Sequence, residues 1–298
     1  MTTILCAGVA VIDFVFHLEE MPRRAEKYRA QDAAITGGGN AANAAVAVSR
    51  LGGRARLAAR LGDDAVADMI VAGLEQEGVD CSLVRRFEGR KPSFSSVFID
   101  AAGERQIVNY RDMDISFGKE WLAAADLGQF DAALSDTRWP QCGAAVLGRA
   151  RERGVPGVLD AEAPIAPAEV AMKLASHIAF SAQGLRDYAG GDDLHRGLRA
   201  AARSTGAWVC VTDGPRGVLW LDGDTARPVP AVPVAAEETL GAGDVWHAAF
   251  TLKLAEGAPE ETAMRFANAA AALKCAGRGG RASYPYREDV DAFTSNGE

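Results

Sequence analysis

Gly241-Ala242-Gly243-Asp244 is the stretch of this chain whose residue types and spacing best suit chemistry. Residues 227–234, extended and broken by proline, precede it. Ala248, Phe250, Leu252, Leu254 and Ala255 continue an apolar helical pattern after it. Small residues therefore stand where a loop becomes a helix. That geometry leaves backbone N–H groups unpaired, with the positive end of the helix dipole behind them. Asp244 occupies the mouth of this anion pocket. A carboxylate there is badly placed for stability and well placed to take a proton from a hydroxyl that attacks a phosphate. Taken alone, the tetrapeptide also fits a turn closed by a capping aspartate.

Two further glycine loops frame this one. Thr36-Gly37-Gly38-Gly39-Asn40-Ala41-Ala42-Asn43 opens an Ala/Val-rich helix that runs to Leu51 and stops at Gly52-Gly53. A dinucleotide fingerprint wants G-x-G-x-x-G directly after the first strand. Here the glycines are contiguous and arrive late. Asn40 and Asn43 present amides on one helical face, which suits sugar hydroxyls better than a pyrophosphate. Thr212-Asp213-Gly214-Pro215-Arg216-Gly217 follows a strand and makes a tight turn fit for a nucleotide phosphate, or for a plain hairpin. Asp13 is a charge inside the apolar run Thr3–Phe16, so it is either paired or functional. His247, three residues after Asp244, reads as helix packing.

The elements that must position these groups alternate. Residues 55–61, 132–134, 157–160, 177–181 and 208–212 read as short apolar strands, with amphipathic helices between them. That pattern predicts an α/β fold, a parallel sheet covered on both faces. Residues 94–110 break the rhythm and read as two strands joined by a turn at 100–104. With extended material from about 14 to 35 they predict a small β lid, formed by 14–35 and 93–111, on a single domain spanning 1–298.

Composition narrows the class. Of 298 residues, 48% are hydrophobic and 24% charged, as in an ordinary soluble enzyme. The net charge of −8 argues against a nucleic-acid or anionic-membrane surface. No apolar run reaches the roughly 20 residues needed to span a bilayer. The N-terminus has no basic segment before its apolar stretch, so a cytoplasmic location is expected. The five cysteines are scattered without a Cys-x-x-Cys, which predicts buried thiols rather than disulfides or zinc.

The three glycine motifs, in this order, resemble the ribokinase-like (PfkB) carbohydrate kinase family over nearly the whole chain. The resemblance implies a three-layer α/β sandwich with a β lid, and ATP-dependent phosphorylation of a sugar. It makes Asp244 the base, and the N–H groups of Gly241, Ala242 and Gly243 the hole for the transferring phosphoryl group. Asp13, Gly38, Gly39 and Asn43 fall on sugar-binding positions. Thr212, Gly214 and Gly217 fall on the ATP side, with Asn268 approaching from the Ala-Asn-Ala-Ala-Ala-Ala helix. A homodimer joined through the lid is implied too.

Two motifs depart from the family. Its frequent Asn-x-x-Glu is Ser181-Ala182-Gln183-Gly184 here, so Mg²⁺ is expected on ATP phosphates and water, with no protein ligand assigned. Glu238-Thr239-Leu240 replaces the usual Asp-Thr-Thr/Asn, which puts a family-type monovalent-cation site in doubt. Within the family the closer resemblance is to 6-deoxy-6-sulfofructose kinases. It shows in Glu26-Lys27-Tyr28, Gly103-Glu104-Arg105, Val108-Asn109-Tyr110, Asp136-Thr137-Arg138-Trp139 and Gly279-Gly280-Arg281-Ala282. This implies that Lys27, Asn109 and Arg138 hold a sulfonate. Kinases of fructose, ribose or 2-keto-3-deoxygluconate, and a catalytically silent sugar-binding regulator, are the alternatives.

Overall fold

In the computed structural model, residues 1–295 are described apart from 113, 116–120 and 123–124. The apolar run at the N-terminus is two strands and not one. β1 (Thr3–Gly8) and β2 (Val11–His17) belong to different sheets. The chain turns at Gly8 because the Asp136 carboxylate fills the space a Cβ would need there.

The large sheet runs β13-β12-β11-β10-β9-β8-β1-β4-β5. Its members are β1, β4 (Arg54–Gly62), β5 (Asp80–Phe87), β8 (Ala132–Asp136), β9 (Gly157–Ala161), β10 (His177–Ser181), β11 (Trp208–Thr212), β12 (Val218–Asp222) and β13 (Thr225–Val229). All neighbours pair in parallel except β11–β12 and β12–β13. Alternation along β1 shows why both faces are covered. Ile4 and Cys6 join one core cluster, and Leu5 and Ala7 join the other. The first cluster is sealed by α1 (Asn40–Arg50), α7 (Ala242–Ala255) and α8 (Glu260–Cys275). The second is sealed mainly by α3 (Pro140–Arg153) and α6 (Leu194–Thr205). Among the described residues the remaining α-helices are α2 (Ala65–Gln76), α4 (Glu169–Leu174), α5 (Ala182–Ala189) and α9 (Arg287–Ser295).

The strand order leaves β1 in both directions, towards β4 and towards β8. Such a switch point opens a crevice beyond the carboxyl ends of the strands. Above it lies the second sheet, β3-β2-β6-β7, with β3 Asp32–Gly38, β6 Phe94–Ile99 and β7 Arg105–Tyr110. The expected hairpin at 94–110 is there. The register aligns Thr36, Asp13, Ser95 and Asn109 in one row across the four strands. Because neighbours across a sheet share a face, one side of it carries a polar line. Phe14, Phe94 and Tyr110 pack together on the other side. No described helix is long and apolar enough to cross a membrane.

Candidate active site

A cleft of about 490 Å³ lies where the two sheets meet, walled by Asp13, Gly38, Asn43, Glu162, Asp244 and Arg281 among others. The sequence motifs 36–43 and 238–244, two hundred residues apart, come together here. Gly39 allows the close approach, since its φ of 91° admits few side chains and a Cβ would strike the Val9 carbonyl.

Asp244 lies in the first turn of α7, behind Gly241 in the left-handed conformation (φ 80°). Its Oδ2 accepts a hydrogen bond of 2.7 Å from Asn43 Nδ2. Burial, then the nearby carboxylate of Asp160, raise its pKa from 3.8 to about 8; Asn43 opposes the shift and Glu162 adds to it. A base that titrates near neutrality takes up a hydroxyl proton more readily than an ordinary aspartate would. Asn43 Oδ1 accepts from Arg281 Nε (2.8 Å), and Arg281 Nη2 donates to Gly38 O (3.1 Å). Asn43 thus ties the Asp244 carboxyl to Arg281 at the wall of the cleft, with one hydrogen of its amide on Asp244. Asp13, on the lid row, has its pKa raised by burial, against Ser95 and the Arg281 charge.

The free amides at the start of α7 differ in one donor from the expected set. Ala242 N–H bonds to Thr239 O (3.2 Å) in a turn, while Val245 N–H closes on Gly241 O (3.0 Å). Among the described residues, the amides of Gly241, Gly243 and Asp244 have no backbone partner. A Cβ on Gly243 would meet open space, so this edge faces the cleft. Three N–H groups at the helix start are thus left without a backbone partner, and Ala242 is not one of them.

Beside the cleft sits a set of acids to which the sequence reading assigns no role. Asp136 accepts from Val9 N (2.8 Å), Ala41 N (3.3 Å) and Arg138 N (2.9 Å), tying the ends of β1 and β8 to the start of α1. Asn40 Nδ2 donates to Glu162 Oε2 (3.0 Å) and Asp160 Oδ2 (3.3 Å). Burial and the Glu162 and Asp136 charges push the Asp160 carboxyl well up. His247 is packed between Gly243 O (2.7 Å) and Ala179 O (3.2 Å), the packing role expected of it.

The expected sulfonate trio is not assembled. Lys27 is exposed in the loop 18–31, outside the cleft wall. Arg138 is turned onto Glu162 Oε2 (3.1 Å) and Ala163 O (2.9 Å), because a carboxylate from its own chain is within reach of the guanidinium. Asn109 keeps its place in the polar row, donating to Ser95 Oγ (3.2 Å) and Phe94 O (3.3 Å). The cations that do line the cleft are Arg105 and Arg281.

On the nucleotide side, Thr212 ends β11 with its hydroxyl on Phe180 O (3.3 Å), and Gly214 and Gly217 form the turn after it. Asn268 is not offered to a ligand. It is buried, accepting from Trp246 Nε1 (2.8 Å) and donating to Pro230 O (2.8 Å), so it fixes the loop after β13.

This arrangement can deprotonate a hydroxyl beside a ring of amide donors. The sequence profile of pfkB family carbohydrate kinases matches residues 1–287. The chain belongs to that family. A solved structure described as a putative ribokinase from Agrobacterium tumefaciens superposes with a TM-score of 0.87 at 34% identity, covering 99% of this chain and 98% of the other. The deoxyribokinase of Salmonella typhi is 28% identical over 310 residues, 98% of each chain. The fructokinase of Klebsiella pneumoniae is 30% identical over 278 residues, covering 85% of this chain and 90% of its own. The protein is thus an ATP-dependent phosphotransferase with an alcohol acceptor, of ribokinase-like fold.

Proposed function

We propose that this kinase phosphorylates a ketose bearing an anionic tail, with 6-deoxy-6-sulfofructose as the preferred substrate and its 1-phosphate as product. The observation that carries the reading is Asp244, recessed beside three free amides and facing Asp13 across a cleft edged by Arg105 and Arg281. The sugar is held between the polar row of the lid and the 36–43 loop, through Asp13, Gly38 and Gly39. Asp244 takes the proton of the attacking hydroxyl while the amide hole receives the phosphoryl charge. A sulfonate has three acceptor oxygens and a permanent charge. Closure of the lid brings Lys27, Asn109 and Arg138 to it, Arg138 leaving Glu162. An uncharged sugar would then strand those cations, at a cost on the order of 2–5 kcal/mol.

ATP lies along Thr212, Gly214 and Gly217. Magnesium, carried on its phosphates, would neutralise charge on the group in transit. The carboxylates of Glu162 and Asp160 fit its water shell, since Asp160 Oδ1 is buried without a hydrogen-bond partner. The lid, with Ile35 and Val108 exposed on the face that carries Phe14, is the surface for a second copy of the chain. Light scattering on wild type and a Val108→Asp variant tests that.

A neutral ketose or pentose is the second reading, and the Arg138–Glu162 pair favours it, because that cation is already neutralised. ADP release with sulfofructose, fructose, ribose, deoxyribose and 2-keto-3-deoxygluconate decides between them. A higher kcat/KM on any uncharged sugar than on sulfofructose would overturn the first reading.

A further inference from the structure

Lys274 has no solvent exposure at all, an unusual fate for an ammonium group. It occupies the last turn of α8, and its Nζ reaches Glu238 O (3.0 Å) and Glu238 Oε1 (3.6 Å). The other oxygen of that carboxylate, Oε2, accepts from Gly279 N (2.8 Å) and Gly280 N (3.3 Å). Despite the cost of burial, these amides and Lys274 hold the Glu238 carboxyl below its usual range. The end of α8 contributes again: Cys275 O accepts from Glu237 N (2.7 Å) and Glu238 N (3.2 Å).

Both segments joined at this node line the cleft. Residues 239–243 form the approach to the anion hole, and residues 280–284 carry Arg281 and Tyr284. Nothing in the steps assigned to Asp244 employs Lys274. We propose that the Lys274 ammonium is a tethered internal cation, a positioning residue that fixes the anion-hole loop to the Arg281 segment through Glu238. A backbone carbonyl and a carboxylate facing one small cation are oxygen donors of the kind that an inorganic monovalent ion takes, with water completing its shell. With the ammonium built in, turnover needs no added monovalent cation. With it removed, the protein acquires a requirement for one.

The inference rests on the carbohydrate-kinase chemistry of the cleft and not on which sugar is used. The test compares wild type, Lys274→Ala and Lys274→Met in choline, potassium and ammonium chloride at equal ionic strength. Both turnover with the best sugar of the panel and thermal melting are followed. Wild-type kcat is expected to agree within about twofold across the salts. Lys274→Ala should lose at least about tenfold in kcat in choline and recover most of it in potassium or ammonium. Its melting temperature should rise in those salts while wild type is unmoved. Lys274→Met fills the space with an uncharged chain and should be impaired in every salt. Strong potassium activation of wild type overturns the proposal, as does a folded Lys274→Ala that loses no turnover or is indifferent to the cation. If Lys274→Ala does not fold, Lys274→Met with Glu238→Gln removes both charges. A folded double variant with undiminished kcat is equally fatal. Absence of turnover on every sugar would count against the kinase reading of the cleft, and the melting comparison would still judge Lys274.

Discussion

Replacing Asp244 with asparagine separates two consequences of its burial. The amide keeps the shape of the carboxylate and can still accept from Asn43 Nδ2, now at 2.7 Å. Turnover is expected to fall by at least ~10², with sugar binding largely kept, because only the proton acceptor is lost. Stability should move the other way. A carboxyl raised from 3.8 to about 8 in the folded chain holds a proton there that the unfolded chain releases. Its contribution is intact below the unfolded pKa and is lost as pH rises through the folded value. At 1.36 kcal/mol per pH unit that span corresponds to about 6 kcal/mol as an upper bound, which solvent screening at the cleft cuts to about 1–2 kcal/mol. For a chain of this size Asp244→Asn should therefore melt about 2–6 °C above wild type at alkaline pH. Near pH ~4 and below, the two should coincide. Wild-type kcat/KM should rise with pH and level off above about 8. Scanning calorimetry of both proteins from about pH 5 to about pH 9, with initial rates over the same range, measures all of this. An asparagine variant of near wild-type rate, or melting curves whose separation does not grow with pH, would refute the reasoning.

Glu162→Gln removes a charge that raises the Asp244 pKa, so the rising limb of the pH–rate profile should move to lower pH. The same change frees Arg138 and should lower KM for a sulfosugar while leaving that for fructose nearly unchanged. Gly241→Ala forces φ 80° on a residue with a Cβ, which would come within 2.5 Å of the Tyr284 hydroxyl. A loss of about 1–3 kcal/mol in denaturant unfolding and a lower kcat are expected. Arg138→Ala should abolish preference for the sulfosugar with little gain on fructose; an equal loss on both would make Arg138 structural.

The central motif was legible because its chemistry is local. Gly241 needs a left-handed turn and Asp244 follows within one helical turn, both visible in four letters. Asp13, Gly38, Gly39 and Asn43 were legible for a related reason: a charge in an apolar run and a glycine stretch at a helix start violate local rules. Arg281, Glu162 and Asp136 violate none. They become part of the site only through folding, which brings Arg281 to Asn43 across 238 residues and Asn40 to Glu162 across 122. Lys27 and Arg138 show the converse. Nothing in sequence tells a cation awaiting a ligand from one that will meet a carboxylate of its own chain, and Arg138 met Glu162. Lys274 had no role in the sequence reading beyond the family resemblance of its stretch, and only the packing of α8 under residues 237–240 reveals it as buried.

Asp136 gathers amide hydrogens from residues 9, 41 and 138 onto one carboxyl group. A ribosome must therefore deliver nearly half the polypeptide before the sugar loop has anything to close upon, and the segments made earliest wait for a strand made much later. Such distant pairings slow the search for the native state. They also mean that the catalytic floor forms together with the middle of the main sheet, so a half-built chain offers no half-built enzyme.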